Sequence, residues 1–537
     1  MKPWRKIGIP VIALVTAAAS LAWAEDLCRE PVETQQGPVS GLPVKDLSAC
    51  AYKGIPYAAP PVGELRWKAP EPAVKRAATL EAKNFGPSCL QQENFGSGGK
   101  SKSFSEDCLT LNIYRPARSG TYPVMFWIHG GGYTIGAGSY EMYDGSRLAA
   151  ERGVVVVTIN YRLGAFGFLS LPELAAEDPH QGSGNYGLLD TIAALEWVRD
   201  NIAGFGGDPK QVTIFGESAG GVSVCSLLAS APAAGLFQRG IIESGGCDLA
   251  RPQDKGYRDG AKFAEAVGCA GEKPLACLRA KPAQEVLRHE SAMPVTATQI
   301  DGYALTDQPL AVIQSGKYNR VPVMVGNNRD EGNMFLLVVP GATIASRGLA
   351  TKALKKMMGP RADEVLKQYS FSDYRRPFFL LAAIFADGFG SRGFMAAEAL
   401  APASPVYYYR FDWDEEALHK TLGAFHGLEI PFVFGNLNLH LRQSMLKLAL
   451  NHRAVKAGRP LSEEMMSYWT NFAKTGDPNG PGLPAWPAYS KDQRERIILD
   501  REIRSAPLTA QELGRYQYFS GFSIEELGWG FAQDEAR

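Results

Sequence analysis

Six short apolar runs recur along this chain, and their spacing constrains the fold more than any other feature. VMFWI (124–128), VVVVTI (154–159), VTIF (212–215), GIIES (240–244), VPVMVG (321–326) and VYYYRF (406–411) are rich in β-branched and aromatic residues. A strand that is apolar along its whole length, rather than at alternate positions, is buried on both faces. Helical patterns lie between these runs. In GLLDTIAALEWVRDNI (187–202), Leu188, Leu189, Ile192, Leu195, Val198 and Ile202 share one helical face, and Gly204, Gly206, Gly207 and Pro209 end it. Strands joined by helical crossovers run parallel, so the expected class is α/β, a mostly parallel central sheet with helices on both faces. From about 335 to 400 the pattern turns helical, which predicts an inserted helical region over one end of the sheet. No flexible linker interrupts the chain, so residues 25–537 are expected to form a single domain.

The first 24 residues read differently. MKPWRK is a basic lead, IGIPVIALVTAAASL an apolar stretch, and Ala22-Trp23-Ala24 a small-x-small cleavage pattern: a signal peptide. Export to the periplasm or medium is therefore expected. The whole chain balances 56 Lys and Arg against 56 Asp and Glu; losing Lys2, Arg5 and Lys6 leaves 53 against 56, a net charge of −3. That balance gives no footing for a nucleic-acid partner. No later segment approaches the run of about 18 apolar residues that spans a bilayer, so the mature chain is expected to be soluble, without a membrane partner. Export gives the eight cysteines meaning, because disulfides persist outside the cytoplasm. Cys89 and Cys108 flank a polar, glycine-rich loop, Cys269 and Cys277 enclose AGEKPLA, and Cys28 and Cys50 frame a short N-terminal segment; all three pairs are expected to bond. Closing a loop of about 20 residues contributes about 3 kcal/mol in the chain-entropy account. Cys225 and Cys247 stay open, since Cys225 on a helix would also serve as a buried free thiol.

The run VTIF leads into Gly216-Glu217-Ser218-Ala219-Gly220 and then a helical pattern. A nucleophile on so sharp a strand-to-helix turn sits in strained backbone, and the residues two before and two after must be nearly free of side chain. At a helix start, the N–H of Ala219 also points at charge developing on a bound carbonyl. Serine needs a base. Of the seven histidines, His129, His180, His289, His419, His426, His440 and His452, none shows a metal-ligand spacing. His129 opens His129-Gly130-Gly131-Gly132-Tyr133 after an early strand, the pattern of a loop that supplies oxyanion N–H groups. His426, in FHGLEIPFVFG after the strand VYYYRF, comes late enough to be the base. The orienting acid should follow an intervening strand. Asp330 and Glu331 in VPVMVGNNRDEGNMF both qualify, and Asp301 and Asp307 stay in contention.

With these residues in view, the chain resembles the type B carboxylesterase family, bacterial relatives of cholinesterases and liver carboxylesterases, within the α/β-hydrolase fold. The matching stretches cover nearly the whole mature chain: YKGIPYAAPPVGELRW, SEDCLTLNIY, HGGGY, NYRLGAFGFL, GNYGLLD, FGGDP, GESAGG, NRDEG, FHGLEIPFVFG and SYWTNFAKTGDPN. The resemblance implies Ser218 as nucleophile, Glu331 rather than Asp330 as acid, and His426 as base. It implies backbone oxyanion donors at Gly131, Gly132 and Ala219, with Glu217 and Ser244 supporting the histidine. It also pairs Cys89 with Cys108 and Cys269 with Cys277. The implied activity is that of a carboxylic ester hydrolase working through an acyl-enzyme, on a small-molecule ester, with no metal or organic cofactor. Amide or polyester substrates, or a catalytically silent neuroligin-like binding protein, are the alternatives; the filled triad positions weigh against the last. The Cys89–Cys108 loop holds no tryptophan, so a choline ester is not the expected substrate. That loop is also too short for the amphipathic lid of the family's fungal lipases. Arg251 is expected to be a solvated surface residue rather than a substrate contact.

Overall fold

The structure, a computed structural model, describes residues 27–92, 103–293, 295–440, 445–523 and 526–527. The expected leader lies outside the described residues.

Eleven strands build the central sheet: β1 (Leu42–Pro43), β2 (Ala49–Pro56), β3 (Thr110–Pro116), β4 (Tyr122–Ile128), β5 (Val155–Ile159), β6 (Gly207–Glu217), β7 (Arg239–Glu243), β8 (Val323–Asn328), β9 (Val406–Phe411), β10 (Glu495–Leu499) and β11 (Arg504–Pro507). Their order is β11-β10-β9-β8-β7-β6-β4-β5-β3-β2-β1. Every neighbouring pair from β5 through β10 is parallel, and the pairs at the two margins are antiparallel. The six apolar runs become β4 to β9, the middle of the sheet. The marginal strands escaped the pattern because polar residues interrupt them; Asn112 in β3, for one, is buried and bonded to the Thr158 hydroxyl (3.0 Å) and the Gly54 N–H (3.0 Å).

Alternation along β4 shows why these runs are apolar throughout. Val124, Phe126 and Ile128 enter one core, and Met125 and Trp127 enter the other. Helices α1 (Tyr186–Asn201) and α2 (Ala219–Ala229) cover the first face through Leu188, Leu195, Val224 and Leu228. The inserted helical region comprises α3 (Glu331–Leu337), α4 (Arg347–Met358), α5 (Ala362–Gln368) and α6 (Pro377–Leu400). Helix α7 (His452–Thr475) covers the second face with Met465, Trp469 and Phe472. Contrary to the expectation that no later segment is long and apolar enough to span a bilayer, α6 is so by length and composition, although Asp387, Arg392 and Glu398 lie along it. It is a core helix: most of it is buried, and Arg392 reaches the Asp248 carboxylate (3.2 Å) and the carbonyls of Phe519 (3.1 Å) and Phe522 (2.5 Å).

All three expected disulfides form, with Cα separations of 5.2 Å for Cys28–Cys50, 5.0 Å for Cys89–Cys108 and 5.5 Å for Cys269–Cys277. Cys225 is no free thiol; it bonds Cys247 at a Cα separation of 5.0 Å. Close backbone contact between α2 and the loop after β7 makes this possible, since a Cβ on Gly245 would lie 2.6 Å from Gly221 C. Arg251 also departs from expectation. It is buried, with Nη2 on Asp259 (2.7 Å) and Nη1 on the Val295 carbonyl (3.1 Å), so it is a structural ion pair rather than a solvated side chain.

A second buried pair locks α1 to the loop after β5. Arg162 meets Asp190 through Nε (2.8 Å), Nη2 (2.7 Å) and its own N–H (2.9 Å). Removing one partner strands the other charge without water. Arg162→Ala is expected to destabilise the fold by about 3–5 kcal/mol, measured as a lower urea midpoint; a loss under about 1 kcal/mol would place the pair among weak surface bridges.

Candidate active site

The carboxyl ends of five adjacent parallel strands, β4, β6, β7, β8 and β9, lie along the same edge of the sheet. β4 lies where the chain reverses direction across the sheet, with β5 on one side and β6 on the other, the usual place for a ligand in an open parallel sheet. β6 ends at Glu217, and Ser218 turns at φ 57°, ψ −121° into α2. That conformation is costly for a residue with a side chain and marks a constrained position. The flanking glycines are required by contact: a Cβ on Gly216 would meet Ile128 O and Gly220 C at 2.6 Å, and one on Gly220 would meet Ile128 O at 2.0 Å. The Ser218 N–H donates to the Glu243 carbonyl (2.9 Å), tying the elbow to β7.

The loop after β4 passes directly over this turn. A Cβ on Gly130 would fall 2.7 Å from the Glu217 carbonyl oxygen and 3.0 Å from Ser218 Cβ. Gly131 and Gly132 take φ 109° and 60°, backbone that glycine adopts freely. Among the described residues, the N–H groups of Gly131, Gly132 and Ala219 have no protein acceptor. His129 is a buttress: its Nδ1 contacts the Gly130 carbonyl (2.8 Å), its ring stacks on Tyr161, and burial pushes its pKa down to about 4. Tyr133 reaches the Ser223 hydroxyl (3.1 Å) and so joins the loop to α2.

Glu331, the first residue of α3, is fully buried. Its Oε1 accepts the Ser244 hydroxyl (2.5 Å) and the Asn328 N–H (2.8 Å), and its Oε2 meets His426 Nδ1 at 2.5 Å. The other imidazole nitrogen, Nε2, lies 3.0 Å from Glu217 Oε1, beside Ser218. This second contact is electrostatic rather than a well-aligned hydrogen bond, since that oxygen has no aligned donor. His426 therefore lies between Glu331 and Glu217, the residue before Ser218, while the glycine loop passes over the Ser218 turn and Ser244 holds the acid. Asp330 lies apart, bonded to Arg329 (2.8 Å) and the Ala424 N–H (2.9 Å). Asp301 serves a turn through the N–H groups of Tyr303 and Leu305, and Asp307 is exposed. The other five histidines lie at or near the surface.

Three features were not anticipated. Glu429, one turn beyond His426, is buried and bonded to Asn328 Nδ2, and Asn328 also holds the Phe425 carbonyl (2.8 Å). A lone carboxylate in the apolar run LEIPFVFG was its sequence signal, because a charge there needs a partner. Glu243 takes the Trp469 indole N–H (2.7 Å). Burial and the nearby carboxylates raise both pKa values, Glu243 to about 8 and Glu429 well above its ordinary value. Half-buried Phe335 and Phe389 pack on the His426 ring at 4.8 and 5.1 Å and stack on each other at 5.6 Å. Among the described residues no group of three His, Cys, Asp or Glu side chains is arranged to hold a metal ion.

A strained serine after the sixth strand of a mostly parallel sheet, beside a carboxylate-held imidazole, defines the α/β-hydrolase class. A profile of the Carboxylesterase family matches residues 29–514. The para-nitrobenzyl esterase of Bacillus subtilis is 38% identical over 88% of this chain and 95% of that protein. The fumonisin B1 esterase of Sphingopyxis macrogoltabida is 36% identical over 85% and 84%, and the acetylcholinesterase of Bungarus fasciatus 35% identical over 90% and 84%. A solved PNB esterase superposes at TM-score 0.79 with 36% identity, over 91% of this chain and 99% of that one. The chain belongs to the carboxylesterase family and is a carboxylic ester hydrolase.

Burial disfavours the charged form of His426, but the Glu217 and Glu331 carboxylates outweigh it and hold the pKa well above its ordinary value. A raised pKa keeps the ring protonated to higher pH. Hydrolysis that needs the neutral ring should therefore rise through a midpoint above about 6.5. Glu217→Gln removes one carboxylate, so the midpoint of kcat/KM against pH should move down; an unmoved midpoint would dismiss the Glu217 contact.

Proposed function

We propose that this chain is an exported serine carboxylesterase in which Ser218, His426 and Glu331 form the triad. The observation that carries the reading is the His426–Glu331 contact of 2.5 Å, set against the strained turn that presents Ser218. In the first step His426 takes the Ser218 proton through Nε2 as the hydroxyl oxygen attacks the ester carbonyl. The N–H groups of Gly131, Gly132 and Ala219 receive the oxyanion, each donor contributing about 3–4 kcal/mol to the barrier reduction. His426 then gives its proton to the leaving alcohol, and water repeats the cycle on the acyl-enzyme. Glu331 fixes the Nδ1–H tautomer and stabilises the imidazolium. Glu217, on the Nε2 side, adds to that stabilisation, and Ser244 keeps the Glu331 carboxylate turned toward the ring. Phe335 and Phe389 favour esters with an apolar or aromatic group beside the reacting carbonyl. The leader pattern of residues 1–24 and four disulfides support export.

Ser218→Ala should abolish hydrolysis of a short p-nitrophenyl ester and labelling by a fluorophosphonate, while thermal unfolding stays close to that of the parent. Residual turnover above a few per cent would rule Ser218 out as the nucleophile.

A further inference from the structure

Among the described residues nine large apolar side chains are strongly exposed, and four of them crowd into twelve residues. These are Val338 (61%), Val339 (48%), Ile344 (85%) and Leu349 (61%). Two turns and the first turn of α4 span this segment: the Ala342 N–H donates to Val339 O, that of Ile344 to Gly341 O, and that of Ala350 to Ser346 O. An exposed apolar patch of this kind marks a contact surface. Helix α4 extends the patch and is two-faced. Ala350, Leu354 and Met358 are buried against Val365 and Leu380, whereas Leu349, Lys352, Ala353 and Lys356 form an exposed stripe at i, i+3, i+4 and i+7. Of the three lysines on α4 only Lys355 pairs with a described acid, Asp363 at 2.9 Å. Residues 341–376 hold eight basic and three acidic side chains, +5, in a chain of zero formal net charge.

The patch adjoins the site. Glu331 opens α3, Phe335 on the same helix packs on His426, and Val338 follows its last residue, about 10 Å further along at 1.5 Å per residue. Half-buried aromatics at the imidazole thus lead outward to an exposed apolar rim.

We propose that Val338, Val339, Ile344 and Leu349, with Lys352 and Lys356, form a docking surface for an anionic phospholipid bilayer. Apolar side chains enter the acyl boundary while lysines meet the headgroups, as in interfacial helices that lie on a membrane without crossing it. Charge selects this occupant: a second copy packed symmetrically on the same surface would set basic stripe against basic stripe. The expectation of no membrane partner rested on spanning segments alone, which this surface does not need. In the docked state, lipid-dissolved esters would reach the site past Phe335 and Phe389; that consequence rests on the esterase reading, but docking does not.

The test is sedimentation of the mature chain with vesicles of equal phosphatidylglycerol and phosphatidylcholine, and with phosphatidylcholine alone, at 50 mM and 500 mM salt. Binding is expected on the anionic vesicles at low salt and at least tenfold weaker on neutral vesicles or at high salt. I344E/L349E should lose binding at least tenfold, and K352E/K356E should lose the preference for anionic lipid. Both variants should hydrolyse water-soluble p-nitrophenyl acetate at the parental rate, which shows that they are folded. Absent binding, equal binding to the two vesicle types, or undiminished binding of I344E/L349E would overturn the proposal. So would a dimer in light scattering that I344E/L349E dissolves, since the surface would then belong to a second copy. A parent chain that binds vesicles but leaves the acetate intact would refute the esterase reading and leave docking standing.

Discussion

The buried carboxylate of Glu331 is the point on which the arrangement depends. A carboxylate this far from water is tolerated only with its oxygens occupied, and its three partners come from three places in the chain. Ser244 follows β7, Asn328 ends β8, and His426 lies in the loop after β9. Strands β7, β8 and β9 are neighbours, so sheet register sets the separation of these groups before any side chain is placed. Asn328 serves twice, giving its backbone N–H to Glu331 and its side chain to the Phe425 carbonyl and Glu429. The loop carrying the imidazole is thereby tied to the strand that carries the acid.

Backbone crowding is the second constraint. Gly130, Gly216, Gly220, Gly221 and Gly245 all lie where a Cβ would collide with neighbouring atoms. This closeness lets the glycine loop, the Ser218 turn and the loop after β7 converge within a few ångströms of one another. It also brings Cys225 and Cys247 within bonding reach, linking the helix that begins after Ser218 to the loop that carries Ser244. Reactive geometry and cross-link share one cause, the contact of α2 with the end of β7.

Four buried carboxyl groups, Glu217, Glu243, Glu331 and Glu429, lie near one another, two of them on the His426 ring. Charges this close in a site poor in water disfavour one another. Burial and the neighbouring carboxylates raise the pKa of Glu243 and Glu429 against the opposing N–H donors of Trp469 and Asn328, while Glu217 and Glu331 act on the ring from its two sides. The inserted helices present the opposite surface character, basic and apolar on α4, joined to the site through the short helix α3.

Much of this was legible from residues alone. The apolar runs of β4 to β9 could be buried only within a parallel sheet, and the glycines around Ser218 required a sharp turn. Local chemistry of this kind is written in local sequence, because steric limits and burial act on neighbouring residues. Long-range pairing is not. Adjacent Asp330 and Glu331 look equivalent as residues; the resemblance favoured Glu331, and the start of α3 turns it inward to His426 while Asp330 bonds Arg329 and the Ala424 N–H. Arg251 reads as a surface charge in the sequence, but the helix carrying Asp259 pairs with it in the interior. The sequence by itself determined the strand core, the elbow and the candidate residues. Only the tertiary structure decided which carboxylates meet the imidazole, that Cys225 meets Cys247 and which apolar residues stay outside, because those depend on distances between segments far apart in the chain.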